Sequence, residues 1–257
     1  MIIINKPIVT LKQYTDPQRT ELADIAAVYM QKKDNDNIKR PLRLIEMGHD
    51  SFLKSQFARF HYKTSLATYM HLATYTLQTG APPFELRASQ SLRASKPDDC
   101  MLPSDAKDAP LVMEAILQNA ETYQRLIEKG EKPQTARYAA PQGLIVEYTI
   151  SWSFLLLGKH FFVDRLWSPG AMPETKEIAQ QMFDLVVDKD RDLWYAIYKS
   201  NGTPVLKEKQ VMNRLEKSKL TIQEFIEQVN SSDPWAKNVT LYEALMSFYG
   251  EQTSSWE

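Results

Sequence analysis

A chain of 257 residues is long enough to bury a sizeable core, either as one large domain or as a domain with an appendage. Its 31 basic and 32 acidic residues leave a formal net charge of −1, which offers no bulk attraction to nucleic acid or to a membrane surface and argues against duplex binding; any anion site must be local. The one cysteine, Cys100, excludes an intramolecular disulfide and fits a reducing compartment such as the cytoplasm.

The chain opens with Ile- and Val-rich residues 1–11, which predict a first strand that Pro7 pushes toward an edge or a bulge. Residues 20–31 predict a helix, with Leu22, Ile25, Ala26 and Tyr29 on one apolar face. Pro41 opens a short helix ending near Gly48, and His49 follows at once. Residues 55–63 alternate as a strand, with Ala58, Phe60 and Tyr62 on one face and Phe57, Arg59, His61 and Lys63 on the other. Ser65 suits the cap of a helix running to Gln78, which Gly80 and the Pro82–Pro83 pair stop. Residues 85–93, ELRASQSLR, form a polar loop whose carboxylate, hydroxyls and guanidiniums either seat a nucleotide or face water.

Residues 109–129 predict a long helix that ends at Gly130, and Pro133 starts another that carries Arg137 before Pro141 ends it. A guanidinium there, near the positive end of a helix, can grip an anion, although a plain exposed surface Arg is the competing explanation. Residues 143–151 predict a buried strand and residues 152–165 a core helix. The apolar run at 154–157 is interrupted by Lys159, His160 and Asp164, well short of the ~20 residues of a membrane span, and no signal peptide is evident. Helices over 173–187 and 190–198 follow, then the turn signal Asn201-Gly202. Beyond it, residues 207–217, 221–229 and 239–249 read as helices whose apolar faces need a partner surface: a lid, an oligomer contact or a separate interaction module. The expected organisation is thus a domain over 1–200 and a helical extension over 201–257.

Several sites of known chemistry are missing. His49, His61, His71 and His160 lack the spacing of a helical zinc motif and there is no cysteine pair, so no metal site is expected. There is no Walker loop, dinucleotide fingerprint or Gly-x-Ser-x-Gly elbow. In the context Asp98-Asp99-Cys100, the carboxylates disfavour a nucleophilic thiolate.

Tyr123, Leu126 and Gly130, followed by Ala136, Arg137 and Pro141, match the Tyr-x-x-Leu-x-x-x-Gly … Ala-Arg-x-x-x-Pro segment of the flavin-dependent thymidylate synthases, which the chain resembles from about Gly48 to Tyr198. The resemblance implies an α/β (α+β) fold, a mixed sheet flanked by helices, here with a helical C-terminal extension. It implies that Arg137 holds the phosphate of a pyrimidine nucleoside monophosphate and that Arg165, in Asp164-Arg165, reaches the pyrimidine ring as the catalytic group. A helix-terminal Arg that only meets the dipole is the alternative at Arg165. Residues 85–93 are similar to the family's Asn-Glu-x-Ser-x-Arg-Tyr loop under a shift of a few residues. Arg87 and Arg93 then serve the phosphate, Ser89 or Ser91 its oxygens or the base, and Glu85 a sugar hydroxyl.

Gly48-His49-Asp50, with Phe60-His61-Tyr62-Lys63 beyond it, is similar to a family segment whose first His lies near folate and flavin; His49 is a candidate cofactor contact or a turn-closing His. The family's flavin-binding Arg-His-Arg falls on Thr74, Tyr75 and Thr76, and its Gln on His71, which leaves Tyr75 and His71 as candidate cofactor contacts. Its Asn-Ala-Arg falls on 151–154, Ser-Trp-Ser-Phe. Thr and Tyr hydroxyls cannot make a guanidinium's paired, charged contacts. By resemblance the cofactors are FAD, NADPH and methylenetetrahydrofolate, the assembly is a homotetramer with shared sites, and the reaction is methylation or hydroxymethylation of C5 of dUMP, dCMP or UMP. A noncatalytic nucleotide-binding or scaffold protein that kept the fold and lost the flavin is the other reading.

Overall fold

Period-two alternation of apolar and polar side chains builds the sheet at the centre of the molecule. A computed structural model describes residues 3–4, 6–33, 36–78, 88–89, 99–167 and 171–202. Within it β2 (Ile8–Tyr14), β3 (Phe57–Ser65), β6 (Ile145–Ser153) and the two-residue β4 (Ala88–Ser89) form a sheet of order β2-β3-β6-β4. All three pairings in it are antiparallel. β1 (Ile3–Ile4) and β5 (Cys100–Met101) pair in parallel as a separate ribbon. The α/β class holds, and its mixed character comes from having two sheets rather than from mixed pairing within one. The predicted first strand is split at Pro7, and β2 does lie at the sheet edge with a bulge between Leu11 and Gln13.

The two faces of the sheet differ. Register sets Ala58 opposite Trp152, Phe60 opposite Ile150 and Tyr62 opposite Tyr148, and all six are buried. The Tyr62 and Tyr148 rings stack at 4.9 Å. Trp152 Nε1 donates to Tyr62 Oη at 2.8 Å, and Tyr62 Oη donates to Met182 Sδ at 3.4 Å, so the polar tips of this face are satisfied inside the core. On the other face each cation has a partner one strand away or at the sheet end. Arg59 Nε donates to Ser151 Oγ at 2.9 Å, His61 Nε2 meets Glu147 Oε2 at 3.1 Å, and Lys63 Nζ donates to Asp99 Oδ2 at 3.3 Å.

Helices cover the apolar face. α1 (Thr20–Tyr29) and α2 (Arg40–Glu46) precede the sheet's central strand, and α3 (Leu66–Gln78) starts where β3 ends, with Ser65 Oγ accepting from Thr68 N at 3.2 Å as the predicted cap. α4 (Ala109–Glu128) is capped by Asp108, ends before Gly130 (φ +85°), and leads to the one-turn α5 (Pro133–Ala136).

The predicted core helix over 152–165 is corrected in two ways. Trp152 and Ser153 remain in the β6 ladder, and Ser153 caps α6 (Phe154–Leu156) by accepting from Leu156 N at 3.1 Å. From Leu157 the winding is π-helical, in the turns Leu157–Phe161 and Val163–Trp167. α7 (Pro173–Lys189) and α8 (Arg191–Ile197) close the core with Phe183 and Trp194. Asn201-Gly202 does not break the chain as a turn but completes a third π turn, Tyr198–Gly202. The apolar faces read at 207–217, 221–229 and 239–249 lie outside the described residues.

Candidate functional site

Aromatic packing aims the π-helical segment. Phe162 packs edge-on to Phe183 and Trp194 at 5.3 and 5.6 Å, and Trp167 meets Phe183 and Tyr198 at 5.6 and 5.1 Å. These rings hold the inner side of the segment, which leaves the polar residues Asp164 and Arg165 on its outer side, toward α3 and α7. π turns are rare and concentrate at functional positions.

Arg165 meets His71 there. His71 projects from α3, and its Nδ1 lies 3.0 Å from Oγ1 of the fully buried Thr175 on α7. Burial, and then the positive charge of Arg165, push the imidazole below its ordinary pKa, so near neutral pH it is an uncharged ring beside a guanidinium. One residue before Thr175, the buried carboxylate of Glu174 accepts from Ser104 N at 3.0 Å. The other side of this first turn of α7 borders a cleft of about 360 Å³ with Lys6, Ser104, Lys176 and Glu177 on its walls. A neutral imidazole and a guanidinium side by side supply a donor or acceptor and a fixed positive charge, a combination suited to the carbonyls and ring nitrogens of a heterocycle.

Arg137 sits elsewhere, in the α4–α5 corner, and its expected setting needs correction. α5 is a single turn, and Arg137 is at its C-terminal cap with its own N–H donating to Pro133 O. The guanidinium therefore meets no positive helix end. It is exposed in the 3₁₀ turn Arg137–Ala139, next to Tyr138, which is 87% exposed. A charged and an aromatic side chain standing together in solvent remain available to a ligand or to another subunit.

His49 follows the turn that Gly48 makes at φ +78°, and its Nδ1 lies 3.1 Å from Tyr29 Oη, with the rings 5.6 Å apart. It belongs to the α1–α2 corner, and its observed partner is the turn-closing kind. The next residue is the one that sequence reasoning passed over. Asp50 is buried and both of its oxygens accept from Lys159 Nζ, at 3.1 and 3.0 Å, which ties the Gly48-His49-Asp50 segment to the first π turn. No local signal marks that pair, because its partners are more than a hundred residues apart.

Tyr75 lies on α3 by backbone position, and Ser89 pairs through its backbone with Tyr148 in β4. Glu85, Arg87, Ser91 and Arg93 lie outside the described residues, as do the side chains of Thr74, Tyr75, Thr76 and Ser89. Among the described residues no three His, Cys, Asp or Glu side chains gather as a metal site requires. Cys100 is fully buried; burial, and then Asp99, raise its thiol pKa, so the direction expected from the acidic neighbours holds while burial is the larger cause.

The described residues do not fit a flavin held as the resemblance implies. At the β6–α6 junction, Ser151 Oγ accepts from Arg59, Trp152 is wholly buried with its indole N–H on Tyr62, and Ser153 caps the helix. Every side chain there is committed to the fold, and none is a guanidinium able to pair with a pyrophosphate.

The family model described as "Thymidylate synthase complementing protein" matches residues 10–190. The chain belongs to that family. The match takes in α3, both π turns of the core segment and α7, and so the whole His71–Arg165–Thr175 cluster. Two solved structures share the family member's fold. One, a UMP/dUMP methylase PolB from Streptomyces cacaoi bound with 5-Br dUMP, has a TM-score of 0.65 at 18% identity and covers 79% of this chain and 98% of its own. The other, the same methylase bound with 5-Br UMP, has a TM-score of 0.62 at 16% identity, with 78% and 97% covered. A comparison with curated protein sequences gives no match.

Proposed function

We propose that this family member binds a pyrimidine nucleoside monophosphate and modifies C5 of its base. The observation that carries the reading is the neutral imidazole of His71 set beside Arg165 within the segment that matches the thymidylate synthase complementing family. The PolB structures of the same fold, bound with 5-bromo derivatives of UMP and dUMP, support the substrate class. In this reading Arg165 polarises the ring by its fixed charge, His71 contributes a directed hydrogen bond, and Arg137 anchors the phosphate. Glu85, Arg87, Ser89, Ser91 and Arg93 complete the nucleotide contacts.

Subunits of a homotetramer share the site. Arg137, exposed at the α4–α5 corner of one subunit, then serves the His71–Arg165 pair of another. Residues 1–200 form the catalytic domain, and the protein works in the cytoplasm. Methylenetetrahydrofolate is the proposed carbon donor, and NADPH with FAD the proposed source of electrons. We assign the flavin to no described residue, since the β6–α6 junction does not suit it.

Titration with dUMP, UMP and dCMP tests the substrate class. Arg165→Ala is expected to weaken binding by about 1.5–3 kcal/mol, the worth of a hydrogen bond to a charged group, and Arg137→Ala by a similar amount. Wild-type protein that binds none of the three refutes the proposal. A second reading, a nucleotide-binding protein without catalysis, is favoured by the burial of Trp152 where the family's flavin motif falls. Absorbance decides between them: a flavin band in the purified protein, or one gained with added FAD, supports the enzyme, and a protein that stays colourless supports the binder.

A further inference from the structure

The last turn of α1 and the end of α2 form an apolar corner with no described cover. Val28 is 73% exposed and Met47 66%, with Tyr29 and Met30 exposed between them along α1. The Tyr29–His49 contact of 3.1 Å makes the two helix ends neighbours. A contiguous group of large apolar side chains in water marks a surface that is covered in use.

The described chain leaves the fold at this corner. Ser200 Oγ donates to Ile45 O at 3.0 Å, and Lys199 Nζ lies 3.8 Å from Glu46 Oε1, so the last π turn is fastened to the final turn of α2, next to Met47. Residues 203–257 continue from there. Within them Ile222, Phe225, Ile226 and Val229 recur at the three- and four-residue spacing of an apolar helical stripe. The residues between Gly202 and Ile222 reach any point of the corner at up to about 3.3 Å each.

We propose that the Ile222–Phe225–Ile226–Val229 stripe docks on the corner formed by Val28, Tyr29, Met30 and Met47. Tethering favours this occupant over a second copy of the chain, because a segment attached at the edge of its own docking surface is present at an effective concentration on the order of millimolar. The extension then covers the Tyr29–His49 pair, and His49 is a contact of the extension rather than of a cofactor.

Methionine oxidation in the full-length protein tests the contact, since a thioether covered by packing reacts slowly with peroxide. Met47 oxidation is followed by peptide mapping in the wild type and in Phe225→Asp/Ile226→Asp, with the core residue Met182 reporting that the fold is intact. The double substitution is expected to speed Met47 oxidation at least about threefold and to leave Met182 protected. An unchanged Met47 rate overturns the proposal. So does a rate that changes with protein concentration and not with the stripe, which assigns the corner to a second copy. Should the double variant unfold, Phe225→Ala alone carries the same readout.

Discussion

At His71 two forces act in one direction. Burial and the charge of Arg165 both penalise the imidazolium, and the ring is held by Thr175. A group whose folded pKa is depressed contributes stability that is present above its ordinary value, 6.5 for this His, and is lost as pH falls through the lower folded value. His71→Asn removes that contribution. The difference in thermal midpoint between wild type and variant is therefore expected to narrow as pH is lowered from about 7 to about 5.5, and a widening difference would contradict the assigned environment. Cys100 makes the complementary case. Its thiol is buried and its pKa raised, so a thiol reagent is expected to label it only after unfolding, and Cys100→Ala is expected to retain nucleotide binding. Labelling of the native protein at the rate of a free thiol would show the site to be open.

The π-helical segment depends on one close approach. A Cβ at Gly158 would overlap Cγ2 of the fully buried Ile197 on α8, so the first π turn can lie on that helix only with glycine there. Gly158→Ala is expected to destabilise the protein by about 1–3 kcal/mol in denaturant unfolding, the usual cost of overpacking a core. Adding Ile197→Ala, which removes the opposing atom, should give a double variant less destabilised than the two single effects summed. Strict additivity would place the two residues apart. The same segment marks a limit of sequence reading. Phe154, Leu156, Leu157, Phe161 and Phe162 announce a buried helix, but extra residues per turn leave no mark in apolar spacing, and the ladder bonds that keep Trp152 and Ser153 in β6 depend on a partner strand far along the chain. Elements whose determinants are local were legible: the Ser65 cap, the Gly130 stop, and the alternation of Ala58, Phe60 and Tyr62.

On the scale of the whole molecule, the candidate site lies in two places, Arg137 at the α4–α5 corner and Arg165 with His71 at the α3–α7 edge. The motif around Arg137 could be read because it is contiguous. The pairing of Arg165 with His71, and of Asp50 with Lys159, could not, because each joins residues about a hundred positions apart through helix packing. If subunits share the site, Arg137→Ala and Arg165→Ala chains, each inactive alone, are expected to regain about a quarter of wild-type activity when dissociated, mixed in equal amounts and reassembled. Failure to recover any activity would require both guanidiniums to come from one chain.

Of the five tryptophans, Trp152 and Trp194 lie fully inside the protein, and each indole N–H donates to a tyrosine hydroxyl, Tyr62 and Tyr14 respectively. With tyrosine rings so near, light absorbed by those phenols passes to indoles that water does not reach. The native chain thus carries its own blue-shifted emission signal, and denaturation can be followed by the movement of that emission to longer wavelength without attaching a dye.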